Sequence, residues 1–174
     1  MKGALLLCAL TLALAGCGPD AQQVVTGLHS ENPAVRQDMA EFAKKFDEPM
    51  VVSALIRTLH DPSATIRIEA VLSLGELGHA AATADLVDVM SNDPSEDVRK
   101  AAVEALGRIK DPAAVAPLLI ILETYAPDKA PLNVIWALGN IGDKRALGLL
   151  SRIREAAVDP HVVYNVNVAL RKIK

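Results

Sequence analysis

The sequence predicts an all-α solenoid, and three observations carry that prediction. Apolar residues recur at helical spacing in short runs. The runs themselves recur every 32 residues. Alanine, valine, leucine and isoleucine dominate, and only 3% of residues are aromatic, a composition that suits thin helical layers packed by small aliphatic side chains. The 174 residues suit one domain.

The clearest unit is Asp93 to Leu122. Asp93 suits an N-cap and Pro94 a first helical position. Val98, Ala101, Ala102, Ala105, Leu106 and Ile109 then fall on one helical face. Lys110-Asp111-Pro112 breaks the run, and Pro112 opens a second helix whose stripe is Val115, Leu118, Leu119 and Leu122. Neither helix buries its stripe alone, so the unit needs neighbours.

A shift of 32 residues supplies them. Asp61-Pro62 matches Asp93-Pro94, and Ile66-Arg67 matches Val98-Arg99. Leu74, Leu106, Leu138 and Leu170 share a column, as do Gly75, Gly107 and Gly139, and Leu77, Ile109, Ile141 and Ile173. A shift of 31 adds Asn32-Pro33, Val35-Arg36 and Phe46. Several columns recurring together mark a stacked-repeat architecture.

The unit resembles the short HEAT-like repeat of the PBS-lyase type, D-P-x-x-x-V-R-x-x-A-x-x-A-L-G. The resemblance covers about residues 21–174 and implies a right-handed α-solenoid of helical hairpins, about four repeats with half-repeats at the ends. Glu69, Ser73 and Pro131 depart from the pattern. The Trp, Tyr and Pro columns of tetratricopeptide repeats and the ankyrin T-P-L-H signature do not recur.

In chain order, residues 1–16 read as a lipoprotein signal peptide. Lys2 gives the positive end, Ala4 to Ala13 the apolar core, and Leu14-Ala15-Gly16-Cys17 resembles the bacterial lipoprotein cleavage site. The resemblance implies removal of residues 1–16 and acylation of Cys17, palmitate included, which anchors the chain stably when two or more chains are attached. Ordinary signal cleavage after Ala15 is the competing reading. An uncleaved span is disfavoured, since the apolar run falls short of the ~20 residues a crossing helix needs. Cys8 is removed with the signal, so the mature chain forms no disulfide. Gly18 follows the cysteine where an aspartate commonly retains Gram-negative lipoproteins at the inner membrane, so the resemblance implies the periplasmic face of the outer membrane. Residues 17–20 then form a short tether.

Helices are expected at Ala21 to Leu28, then in pairs at about 34–46 and 49–59, 63–78 and 81–90, 95–110 and 112–124, 128–142 and 144–156, with a last helix at about 161–173. Gly78 and Gly142 suit C-caps. The Gly75, Gly107 and Gly139 column implies close helix approach, because a helical glycine otherwise costs about 1 kcal/mol. Arg36, Arg67 and Arg99 suit hydrogen bonding to turns and carboxylates of the adjacent repeat. Pro131 removes a rung, so irregularity is expected near Tyr125–Pro131. Trp136, the only tryptophan, suits inter-repeat packing.

Chemistry is sparse. His29, His60, His79 and His161 sit singly, without metal-ligand spacing. There is no His-Glu dipeptide of the kind HEAT-like iron hydroxylases carry, no G-x-S-x-G and no phosphate-cradling loop. The reading is therefore no enzyme, no cofactor and no metal. The net charge of −3, without a long basic run, disfavours nucleic acid. The expected function is a membrane-anchored, non-catalytic scaffold that binds another envelope protein; the alternative is a small-ligand or chromophore-handling, lyase-like protein. HEAT-like solenoids place the second helix of each pair on the concave side. That puts Arg57, Asp85, Asp88, Ile120, Arg145, Leu149 and Arg152 on the candidate binding face, running from acidic through apolar to basic.

Overall fold

The computed structural model describes residues 18–173. Cys17 and the targeting segment lie outside the described residues. Ten α-helices follow in order among the described residues: α1 (Ala21–Leu28), α2 (Pro33–Phe42), α3 (Pro49–Thr58), α4 (Ala64–Leu77), α5 (Thr83–Asn92), α6 (Glu96–Ile109), α7 (Val115–Glu123), α8 (Leu132–Ile141), α9 (Leu147–Ala156) and α10 (Pro160–Lys172). No strand occurs among the described residues. Even-numbered helices carry the V-R-x-x-A-x-x-A-L-G segment or its equivalent and are called first helices; odd-numbered ones are second helices.

Local chemistry sets the ends. Asp20 and Gln23 form a reciprocal capping box at the start of α1. Gly78 and Gly142 close α4 and α8 in the left-handed region, at φ 74° and 76°. Lys110 takes the same position after α6 at φ 60°, the only non-glycine there among the described residues. A 3-10 turn then leads into each of α5, α7 and α9, and the Asp111 and Asp143 side chains accept backbone N–H bonds in two of those turns.

Two expected boundaries shift. Asp93 is not the N-cap of α6; Ser95 is. The Asp93 carboxylate instead accepts the Ser95 N–H at 2.8 Å while pairing with Arg67. Helix α8 begins at Leu132 rather than near 128, because Pro131 lacks an N–H and its ring obstructs a preceding helical turn. A 3-10 turn at Pro127–Lys129 fills the gap, and Asp128 accepts the N–H groups of Val158 and Asp159.

Each second helix packs its backbone against the first helix that follows it: α1 on α2, α3 on α4, α5 on α6, α7 on α8 and α9 on α10. In this register the ten helices among the described residues form five pairs. Leu55, Leu74, Leu86, Leu106, Leu118, Leu138 and Leu150 are fully buried between the layers. At the C-terminal end, Asn167 and Arg171 occupy the columns that hold Ile135 and Gly139 one repeat earlier, giving the stack a polar last face.

The two layers differ in spacing. First helices stack nearly backbone to backbone. A Cβ on Gly75 would stand 2.9 Å from the Ala105 Cα, and one on Gly139 2.7 Å from the Ala169 Cα. Beyond α3 the second helices diverge: α5 meets the turn at Pro112–Ala114, and α7 the turn at Lys144–Ala146, rather than the neighbouring helix along its length. A stack narrow on one side and wide on the other bends toward the narrow side. The inner face therefore belongs to the first helices, which corrects the expectation that second helices line it.

Candidate partner-binding surface

The arginine column builds a ladder along one edge. Arg36 donates to Ser30 O and Glu31 O through Nη1, and its Nε–Nη2 edge grips the Asp61 carboxylate at 2.6 and 3.3 Å. Arg67 repeats this on Asp61 O, Pro62 O and the Asp93 carboxylate, the last at 2.7 and 2.8 Å. The Arg67 hydrogen bond holds Asp93 below the usual carboxylate range against the opposing effect of burial. At Asp61 burial pushes upward, and the Arg36 bond, the Ser63 N–H and the two arginine charges together overcome it. The structural role expected for this column holds for both pairs.

A second ladder crosses the inner layer. Glu76 lies 3.7 Å from Lys44 and 3.9 Å from Arg108, Arg108 also bonds Glu104 at 2.7 Å, and Lys172 donates to Asn140 at 2.6 Å. These are exposed pairs, worth little individually, yet Lys44, Glu76, Arg108, Asn140 and Lys172 share one 32-residue register along the first-helix layer.

Beside that ladder the inner face turns apolar. Ile68, Lys100, Leu132 and Tyr164 share one column, and Leu72, Glu104, Trp136 and Val168 another. Leu132 is 41% exposed, Trp136 37% and Tyr164 68%, on the adjacent helices α8 and α10. Trp136 does pack between repeats, since its Cζ3 would meet a Cβ on Gly107 at 2.6 Å, but its other side reaches solvent. Aligning the 32-residue columns of the first helices finds this patch.

The candidate residues from the sequence lie on the second-helix layer. Arg57, Asp88, Ile120, Arg145 and Arg152 are exposed, and Asp85 and Leu149 half-buried. They spread along the array instead of converging. Only Leu149 and Arg152 meet, in an open groove of about 390 Å³ with Leu122, Glu123, Tyr125, Pro127, Ile153 and Ala156. Ile120, 65% exposed, stands free. Arg145 is committed to Asp143, at 2.8 Å, and to Pro112 O; its hydrogen bond holds the Asp143 carboxyl down to about 2.

The histidines stay apart: His79 pairs with Asp47, and His29 bonds Val25 O through Nδ1. No group of His, Cys, Asp and Glu is placed to hold a metal ion among the described residues.

The family model of HEAT repeats matches residues 21–99, 52–130 and 83–171. No curated protein matches the chain. Among solved structures, the complex of CpcE and CpcF of phycocyanin lyase from Nostoc sp. PCC7120 is similar at TM-score 0.76 and 23% identity, over 91% of this chain and 66% of that one. The chain thus spans just under two thirds of that relative's length. A designed armadillo repeat protein in complex with the peptide (KR)4 is similar at TM-score 0.66 and 21% identity, over 95% of this chain and 85% of that one. At these identities the likeness is one of fold. The lyase neighbour corrects the expectation that this chain is no enzyme. That expectation rested on missing motifs, and a similar solenoid occurs in a lyase complex.

Proposed function

We propose, for a chain that belongs to the HEAT repeat family, that it binds a protein partner on the inner face of its solenoid and works within a lyase-type, chromophore-handling assembly. The observation that carries the binding part is the patch of Leu132, Trp136 and Tyr164 on the rigidly stacked α8 and α10. Tryptophan and tyrosine are the side chains that anchor interfaces, and a rigid platform reduces the ordering cost of binding. The lyase part draws its support from the fold likeness to the phycocyanin lyase complex. The chain's role there is to hold and orient a partner, since the inner face offers area and charge. Capture of partners on the detergent-solubilised protein, with mass spectrometry of proteins and small molecules, tests both parts. A protein partner together with a pigment or its precursor is the expected result. A partner carrying no small molecule in any preparation would remove the lyase part.

The same reading includes lipid anchoring through Cys17, supported by the Leu14-Ala15-Gly16-Cys17 sequence. No described helix is long and apolar enough to cross a membrane. Intact mass of the mature protein tests it: acyl mass on a chain beginning at Cys17 is expected, and an unmodified chain beginning at Gly16 contradicts it.

A further inference from the structure

The arginine ladder has an open rung. Arg99 repeats the backbone half of the motif, with Nη1 donating to Asp93 O at 2.7 Å and to Pro94 O at 3.4 Å. Its guanidinium is thus seated as those of Arg36 and Arg67 are. Its other half differs. The aspartates that fill the two earlier rungs, Asp61 and Asp93, stand in a column whose next member is Tyr125. The Nε–Nη2 edge of Arg99 has no hydrogen-bond partner among the described residues. Thr83 Oγ1 is the only solvent-excluded side-chain polar atom left unpaired among them, so the free Arg99 nitrogens reach solvent.

We infer that Arg99 is a carboxylate-binding site, with its Nε–Nη2 edge preset for a bidentate ligand from outside the chain. The chain supplies the bound geometry twice over, at Asp61 and Asp93. A planar fork already fixed by two carbonyls loses little freedom on gripping a carboxylate, and bidentate charged bonds are the stronger kind. The ligand chemistry is a carboxylate presented by a protein or peptide, either an acidic side chain or a free C-terminus. The site lies on the ladder edge and does not depend on the inner-face patch.

Arginine Nε–H resonances of the 15N-labelled protein test this directly. Acetyl-Gly-Asp-Gly-amide supplies a side-chain carboxylate, acetyl-Gly-Gly a terminal one, and acetyl-Gly-Asn-Gly-amide neither. The Arg99 signal is expected to shift saturably with either or both carboxylate peptides, at a half-saturation about tenfold below that of the exposed Arg152. The signals of Arg36 and Arg67 are expected to stay in place. In Tyr125→Asp the Arg99 signal should already lie near those two and respond no further. A response to one peptide alone names the source of the carboxylate. No response at Arg99, one no stronger than at Arg152, or an equal response to the asparagine peptide overturns the inference.

Discussion

A Cβ on Gly107 would stand 2.8 Å from the Ala137 Cα and 2.6 Å from Trp136 Cζ3. The obstacle is backbone on one side and an aromatic ring on the other, so neither yields cheaply. Gly107→Ala should lower stability by about 1–3 kcal/mol in urea unfolding. Gly148→Ala, in α9 with open space around its Cβ, should raise it by up to about 1 kcal/mol. Equal effects would deny that glycine sets the spacing of the first helices.

Lys110 holds a left-handed C-cap that glycine holds at Gly78 and Gly142. Lys110→Gly should raise the midpoint of thermal unfolding, with a gain of about 1 kcal/mol from relief of backbone strain. Gly142→Ala should act in the opposite sense. A fall in midpoint for Lys110→Gly would show that the lysine side chain stabilises the cap.

The ladder carboxylates give stability a pH dependence of definite sign. Asp61 and Asp93 are depressed in the folded state. Their contribution is therefore present above the ordinary aspartate value of about 3.9 and is lost as pH falls through the lower folded values. Asp93→Asn should weaken that acid-side loss and cost about 1–3 kcal/mol near neutrality, because the Arg67 fork loses its charged partner. An unchanged acid limb in urea titrations would remove the ladder from the account.

Position along the stack should grade the cost of cavities. Leu106 is fully buried in α6, whereas Leu170, in the same column, is half-buried in α10. Leu106→Ala should cost about 2–5 kcal/mol and Leu170→Ala clearly less. Equal losses would argue against a graded solenoid.

Much of this was legible in the sequence because it is periodic. The repeat columns mark Gly75, Gly107 and Gly139 as close-approach points, Arg36 and Arg67 as ties to the adjacent repeat, and Pro131 as the irregular rung. The inner face was not legible. It depends on two spacings set independently, by Gly–Ala contacts in one layer and by diverging second helices in the other. Helix pairing departs from chain order for a related reason: the chain joins α6 to α7, but α6 packs closely on α5. Asp93 reads as a cap in the sequence because the aspartate in D-P has two roles, and only the Arg67 contact separates them. The Tyr125 substitution in the aspartate column was visible in the sequence and gains meaning once Arg99 is seen holding its two carbonyls.

The central claim is that the inner face binds the partner, and two matched side chains test it. Tyr164 on α10 is 68% exposed and Ile120 on α7 is 65% exposed, so neither is needed for packing. The measurement is the affinity of the captured partner for Tyr164→Asp and for Ile120→Asp, with helicity unchanged in both. The account predicts at least a roughly tenfold loss for Tyr164→Asp, the size of a buried aromatic anchor, and little change for Ile120→Asp. A loss confined to Ile120→Asp would contradict it and return the binding face to the second helices.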